Sequence, residues 1–431
     1  MRNYTLFVIA LACTIAQAQT RYVGGDISML PRYEADASGY KNVNGTKVSN
    51  LISFLVADCG WNTFRVRIFV NPQQKSQGNT DYSVCQDLAY VKALGKRIKD
   101  AGAYFMLDFH YSDEWVDALH IQAPAAWKGL SDDLMADSLG QYTHRVLQAL
   151  KAAGATPDLV QVGNEIMYGL CDIQVHPYNN AGDNWTGYLK LLKAGCNAVR
   201  SECPEAKIII HTDRPNNAEY NRYYYKKLID NGVDYDIIGL SYYPFWHGYL
   251  SSLTSTINNL NSNFPDKRVQ IVECAYNFQN WPSSGVTYDT RSTWPCSVEG
   301  QYNFVRDLVN TLKPITNVDG INYWFPEEAG NGDYVNWSSH TRIVIDPWLN
   351  RGFWNESSTT SGHTINKTGN ISGDKTAADV CAPYYMRNFY NDDQAIIETD
   401  NRPSSNRKYI RDGQLIIERN GQLYTLTGQQ L

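Results

Sequence analysis

The chain reads as an α/β protein, a closed (β/α)8 TIM barrel with a short β-hairpin appended at its C-terminus. Three observations point there. Eight short, β-prone apolar runs recur, at 22–26, 63–69, 104–110, 159–165, 208–211, 237–241, 269–273 and 321–324. Their near-continuous hydrophobicity suits parallel strands buried on both faces. Helix-patterned stretches and polar loops alternate with them, as βαβ units require. Almost every run also ends in polar residues, and in such a barrel the C-terminal strand ends ring the face where active sites are built. A length of 431 residues would admit two or three ordinary domains, yet these barrels fill about 250 to 400 residues as one unit.

At the N-terminus, residues 1–18 read as a signal peptide. Arg2 supplies the positive end, 6–12 the apolar run, and Ala16-Gln17-Ala18 a small-x-small cleavage site. Cleavage after Ala18 leaves 413 residues, with lipid attachment at Cys13 as a variant. The protein is therefore expected to be exported, to the cell surface, the periplasm or the extracellular space. Eight cysteines remain in that oxidising setting: Cys59, Cys85, Cys171, Cys196, Cys203, Cys274, Cys296 and Cys381. Bridging or simple burial is expected of them, and eight allow 105 pairings.

The catalytic barrel is expected over 19–390. Its first run ends in Asp26, and the second carries Arg65 and Arg67 inside an apolar strand. A helix follows at 88–99, with apolar residues three to four apart and Gly102 as its C-cap. The third run ends in Asp108 and His110, and a second helix over 139–153 stops at Gly154. Asn164 and Glu165 end the fourth run, His211 and Asp213 the fifth, Tyr242 the sixth, Glu273 the seventh and Trp324 the eighth. The stretch to 390 is aromatic and poorly periodic, and holds the last barrel helix plus surface loops. Residues 391–408 read as a polar linker. In the tail, 409–431, two apolar runs flank Asn420-Gly421, whose residues suit a type I′ turn.

Composition narrows the function. Apolar residues make up 43% of the chain and charged residues 19%, which excludes bulk disorder. A net charge of -6 argues against a phosphate-neutralising nucleic-acid binder. Past the leader no stretch approaches the ~18 apolar residues of a membrane span. Thirty Tyr, 11 Trp and 13 Phe supply rings that can stack on the apolar faces of a neutral ligand.

Two glutamates carry the chemical argument. Glu165 and Glu273 lie 108 residues apart, three βα units of 36 each, which sets them on opposite sides of the barrel mouth. Glycoside hydrolysis needs two carboxylates flanking the scissile bond, about 5–5.5 Å apart for retention and wider for inversion. Arg65 and Arg67 could hold Glu273 ionised, since a neighbouring cation favours the charged form, and Tyr242 could donate to it. Trp115, Trp127, Trp246 and Trp324 could stack on sugar faces. Asn164, Asp108, His110 and His247 could bond hydroxyls. Taken singly, each has a plain alternative: a buried Trp, an Arg paired with Asp, a satisfied histidine.

The residues also resemble a family. Gly25-Asp26-Ile27-Ser28, Phe64-Arg65-Val66-Arg67, Leu107-Asp108-Phe109-His110-Tyr111-Ser112-Asp113, Pro124-Ala125-Ala126-Trp127, Val162-Gly163-Asn164-Glu165 and Ser241-Tyr242-Tyr243-Pro244-Phe245-Trp246-His247-Gly248, ending with Ile271-Val272-Glu273 and Tyr323-Trp324, are similar to endo-β-1,4-galactanases of glycoside hydrolase family 53. The likeness runs from about 22 to 360 in barrel order. It implies a retaining enzyme cutting internal β-1,4 bonds in the galactan side chains of pectic arabinogalactan. By position, Glu165 would be the general acid/base and Glu273 the nucleophile. The tail resembles the short C-terminal hairpins of some secreted Bacteroidetes enzymes. Bacterial family members often hold calcium in the loop after the seventh strand through alternating Asp, His and Asn. Here that loop reads Tyr276-Asn277-Phe278-Gln279-Asn280-Trp281-Pro282, so calcium is not expected, nor any other cofactor. Phe325 also stands where a Glu often follows the Trp. The expected partner is β-1,4-galactan or its oligosaccharides, met by a monomer.

Three rival readings remain. A non-catalytic glycan-binding barrel would be expected to have lost a carboxylate, and both are present. A metal-dependent hydrolase could use Asp108-x-His110 and His211-x-Asp213, but the first strand lacks a His-x-His pair. A retaining glycosidase of the same fold could act on mannan or xylan, because fold alone does not fix substrate.

Overall fold

The structure, a computed structural model, describes residues 20–35, 39–282, 285–328, 333–336, 341–343, 350–355, 362–390, 406–411, 414–419 and 422–425. The expected leader, 1–18, lies outside the described residues.

All eight apolar runs are strands of one closed parallel barrel: β1 Tyr22–Asp26, β2 Thr63–Ile68, β3 Tyr104–Phe109, β4 Leu159–Val162, β5 Lys207–Thr212, β6 Ile237–Tyr242, β7 Arg268–Cys274 and β8 Val318–Trp324. They pair in chain order, and β1 closes the ring by pairing with both β8 (Gly24↔Asn322) and β2 (Gly24↔Thr63). A helical segment follows each strand: α1 Leu51–Ala57, α2 Leu88–Asp100, α3 Asp132–Ala152, α4 Trp185–Glu202, α5 Ala218–Asp230, α6 Leu250–Asn263, α7 Val298–Leu312 and the short α8 Ala382–Tyr385.

Local chemistry starts and stops the helices. Asp87 accepts from the Tyr90 amide at 2.8 Å and Ser131 from the Leu134 amide at 3.4 Å, satisfying donors that a helix start leaves open. Gly102 and Gly154 take φ of +75° and +69° behind α2 and α3, the left-handed turn a C-cap needs. Helix α3 begins seven residues before the expected 139. Its first turn, with Asp132 and Asp133, is too polar to show the apolar period, and the Ser131 cap sets the start instead.

Inside the barrel, Met106, Leu159, Ile209, Ile237 and Val272 form a small buried layer. Side chains alternate across a strand, so Asp108, Gln161, His211 and Ser241, two or four residues further along, stand one layer nearer the C-terminal mouth. On the seventh strand the register runs Leu240↔Ile271 and then Ser241↔Glu273, skipping Val272. This bulge breaks the alternation and turns the neighbours Val272 and Glu273 to the same side.

Closure leaves no slack at Gly24. A Cβ there would lie 1.6 Å from the Thr63 carbonyl oxygen, and strands on both sides prevent β1 from moving away. Gly24→Ala should cost about 3 kcal/mol or more, which for a barrel of this size lowers the thermal midpoint by roughly 4 °C or more. An unchanged midpoint in calorimetry would refute so close an approach.

The rest differs in detail from expectation. The eight cysteines form no disulfide, and six of them are buried. In the tail, Asn406–Arg411, Gln414–Arg419 and Gln422–Thr425 form a three-stranded antiparallel sheet, with Tyr409↔Ile416 and Ile417↔Tyr424 in register. The expected linker therefore gives up 406–408 to a strand, which its charged residues hid because pairing rather than apolar periodicity specifies it. Linker residues 391–405, and Asn420 with Gly421, lie outside the described residues.

Candidate active site

Arg65 organises the barrel mouth. The guanidinium, 1% exposed, lies 2.8 Å from Asp26 on β1, 2.8 Å from Asp108 on β3 and 2.9 Å from Glu273 on β7. It also donates to Asn164 Oδ1 at 3.0 Å and Gln161 Oε1 at 3.3 Å. Three carboxylates share this one buried cation, and Arg67, 3.6 Å from Asp26, is a second cation at the edge of the cluster. Burial pushes Asp108 upward, but Arg65 and then His110 outweigh it and hold it below the usual carboxylate range.

Glu273 is 6% exposed. Tyr243 donates its hydroxyl to Oε2 at 2.7 Å while Arg65 holds Oε1. Burial raises this carboxyl, and Arg65 and Tyr243 both oppose the rise. Glu165 lacks a cation of that kind. Burial, the Glu273 charge, Asp213 and Asp117 all push it well above the usual range, against a 2.6 Å hydrogen bond from Ser241 Oγ to Oε1 that pulls down. As a coupled pair, Glu273 gives up its proton first and Glu165 keeps one. Two like residues are thereby set to opposite protonation states.

Backbone geometry aims Glu165. Strand β4 stops at Val162, then Gly163 takes φ +91° and Glu165 itself φ +50°, ψ +46°. A left-handed glutamate costs about 1–3 kcal/mol and persists only where its surroundings enforce it. The turn swings Asn164 and Glu165 together over the barrel mouth.

Half-buried Trp115, Trp246 and Trp324 stand around the carboxylates with Tyr243. Tyr243 meets Trp246 edge-on at 5.4 Å and Trp324 at 6.4 Å, and Trp324 meets Trp115 at 6.2 Å. Arg67 lies over the Trp115 ring at 5.1 Å, and Arg351 over Trp324 at 4.4 Å. The Glu328 carboxylate accepts the amides of Asn350, Arg351 and Gly352 at 2.9, 2.9 and 3.0 Å, fixing the backbone that carries Arg351.

Several expected contacts fall differently. Tyr242 points outward and donates to the Gly248 carbonyl at 2.8 Å, so Tyr243, one residue on, meets Glu273. Strand alternation from Ser241 would have found it. Of the two arginines only Arg65 reaches Glu273. Arg67 stands one layer further out, 3.6 Å from Asp26 and donating to the Ser83 carbonyl at 3.1 Å. Asp108 is fully buried and its oxygens are taken by Arg65, by Gln161 at 2.6 Å and by His110 Nε2 at 3.0 Å. Asp108 therefore supports Arg65 rather than reaching a ligand, and His110 spends Nε2 on Asp108. Asn164 spends its amide on the Val116 carbonyl at 3.0 Å. His247, pushed down to about 3 by burial, accepts the Tyr243 amide at 3.0 Å and fixes that residue from behind. Trp127 is buried against Tyr142, ring centres 6.0 Å apart, and belongs to the helical layer.

No group of three His, Cys, Asp or Glu among the described residues is placed to hold a metal. The loop after β7 has one carboxylate, Asp289, which Arg291 already engages at 2.8 and 2.6 Å. Calcium takes six to eight oxygens, several from carboxylates, so this loop does not fit it.

The profile described as Glycosyl hydrolase family 53 matches residues 22–371. Arabinogalactan endo-beta-1,4-galactanase A of Emericella nidulans is 32% identical over 349 residues, covering 78% of this chain and 93% of that protein. Among solved structures, the GH53 catalytic domain of Ignisphaera aggregans aligns with a TM-score of 0.67 at 27% identity, over 85% of this chain and 96% of that one. A fungal beta-1,4-galactanase aligns at 0.65 and 28%, over 80% and 97%.

Proposed function

The chain belongs to glycosyl hydrolase family 53 and is a glycoside hydrolase; on that premise we propose that it cuts internal β-1,4-galactosidic bonds of galactan with retention, Glu273 as nucleophile and Glu165 as acid/base. One observation carries the assignment of roles: two carboxyls at one barrel mouth, one held by Arg65 and Tyr243, the other raised by burial and like charges. The galactanases among its relatives support galactan as the substrate.

In the first step a Glu273 oxygen supplies the electron pair that forms a bond to the anomeric carbon. The bond from that carbon to the leaving oxygen breaks, its pair goes to the oxygen, and Glu165 gives that oxygen its proton. In the second step Glu165 takes a proton from water as the water displaces Glu273, and two inversions restore the starting configuration. The Trp rings around the carboxylates offer flat apolar faces for sugars on either side. The leader-like 1–18 segment supports export, which would bring the enzyme to an extracellular polysaccharide.

De-arabinosylated pectic galactan should yield a ladder of β-1,4-galacto-oligosaccharides. Binding without cleavage would establish a glycan-binding protein instead. Neither binding nor cleavage would remove galactan and make mannan and xylan the next substrates to assay.

A further inference from the structure

Beneath Glu165 lies a chain of polar groups that the two-carboxylate mechanism does not use. Ser241 Oγ donates to Glu165 Oε1 at 2.6 Å, and His211 Nε2 lies 2.8 Å from the same Oγ. The other ring nitrogen, His211 Nδ1, faces the Gln161 amide at 3.0 Å and the backbone N–H of Glu165 at 3.3 Å. All of these side chains except Glu165 are buried, and Gln161, His211 and Ser241 are fully so.

Hydrogens can be placed along this chain by elimination. The Gln161 amide must point its NH2 at Asp108 Oδ1, 2.6 Å away, because its oxygen faces the Arg65 Nε–H. That NH2 and the Glu165 N–H are both donors, so His211 Nδ1 accepts. Asn164 Oδ1, 3.2 Å from Nδ1, is already taken by the Arg65 guanidinium at 3.0 Å and does not compel a hydrogen there. Burial first, and then the Arg65 charge, push His211 well below its ordinary pKa, so the ring is neutral with one hydrogen. That hydrogen is on Nε2 and points at Ser241. Ser241 accepts it and has one hydrogen of its own to give, which goes to Glu165 Oε1.

Oε1 is thus occupied as an acceptor, and Oε2 takes no hydrogen bond from the described residues. We propose that His211 and Ser241 are positioning residues that confine the acid proton of Glu165 to Oε2, the oxygen left open to the glycosidic bond. This rests on Glu165 as the acid/base. The same bond stabilises the Glu165 carboxylate once the proton has left, so it aids both the placement and the departure of the proton. In the opposite tautomer, with the hydrogen on Nδ1, Ser241 would donate to His211, Oε1 would have to carry the proton, and it would point into the protein.

Ser241→Ala tests this on aryl β-1,4-galactobiosides with poor (phenyl) and good (2,4-dinitrophenyl) leaving groups. Loss of one charge-assisted hydrogen bond should lower kcat/KM roughly 10- to 100-fold on the phenyl substrate. The dinitrophenyl substrate leaves without protonation and should change less than about threefold. Ser241→Thr keeps the hydroxyl and should restore most of the loss. Glu165 is also faced by Glu273 from β7, Asp213 and Arg214 after β5, Asp117 after β3 and Tyr243 after β6. Those groups stay in place in Ser241→Ala, so removing the one donor should move the alkaline limb of kcat/KM upward.

Equal losses on both substrates, or none, would overturn the proposal. If Glu165→Gln shows the leaving-group dependence and Ser241→Ala does not, the positioning roles fall and the acid/base assignment stands. If neither shows it, the acid/base assignment itself falls. The His211 tautomer is an independent readout on the wild-type protein by 15N NMR: hydrogen on Nε2 supports the proposal, and hydrogen on Nδ1 overturns it.

Discussion

Glutamine in place of Glu273 is expected to lower kcat/KM on galactan by roughly 10^4- to 10^6-fold while leaving the fold intact. The amide cannot attack the anomeric carbon, yet it fits the same place. Its oxygen can still accept from Arg65, 2.9 Å from Oε1, and its NH2 can face the Tyr243 oxygen, 2.7 Å from Oε2. Stability should not suffer. Burial raises Glu273 above its ordinary pKa in the fold despite Arg65 and Tyr243. A carboxyl raised in this way favours the fold only below its unfolded pKa, about 4.3, and its ionisation costs stability as the pH rises past it. At pH 7 the variant should therefore melt at or above the wild-type temperature, and the advantage should vanish near pH 3. Activity within tenfold of wild type would remove Glu273 as nucleophile. A clearly lowered midpoint at pH 7 would mean that the Arg65 cluster needs all three charges.

Glu165→Gln should lose about 10^3- to 10^4-fold on galactan but retain the first step on a 2,4-dinitrophenyl galactobioside. That leaving group needs no proton, whereas the second step still needs a base to activate water. The signature is a burst of about one phenol per enzyme followed by slow turnover. Azide should restore turnover, because it attacks the anomeric carbon and displaces Glu273 with no proton to remove, giving the β-glycosyl azide. An α-azide, or no burst, would sink the assignment. In the wild type the acid limb of the pH profile belongs to ionising Glu273 and the alkaline limb to protonated Glu165. Because burial and then the Glu273 charge raise Glu165, that alkaline limb should lie above the usual carboxyl range, and the variant should lack it on the dinitrophenyl substrate.

Much of the barrel was legible along the chain. A parallel strand buried on both faces must be apolar almost throughout, so each of the eight runs announces itself within four to seven residues. A polar residue ending or interrupting such a run stands out for the same reason: Glu165 and Glu273 were found at run ends, and Arg65 inside one. Tyr243 was missed because the strand was read to its last apolar residue rather than by alternation from Ser241. Trp127 and His247 were misplaced because an aromatic ring has the same composition whether it faces a ligand or a helix. The strand at 406–411 was hidden because its pairing is specified by a neighbour and not by its own pattern.

By itself, then, the sequence determined the strand count, the strand order and the two glutamates, because periodicity, hydrophobicity and residue type are local and survive in one dimension. Only the tertiary structure decided which atoms meet. Closure of the ring brings Asp26, Asp108 and Glu273 onto one guanidinium from three strands. The bulge at Val272 turns Glu273 inward, and the left-handed turn at Glu165 aims the opposing carboxyl. Burial then assigns the protons, since the self-energy of a charge depends on the water and countercharges around it, which no stretch of chain specifies alone.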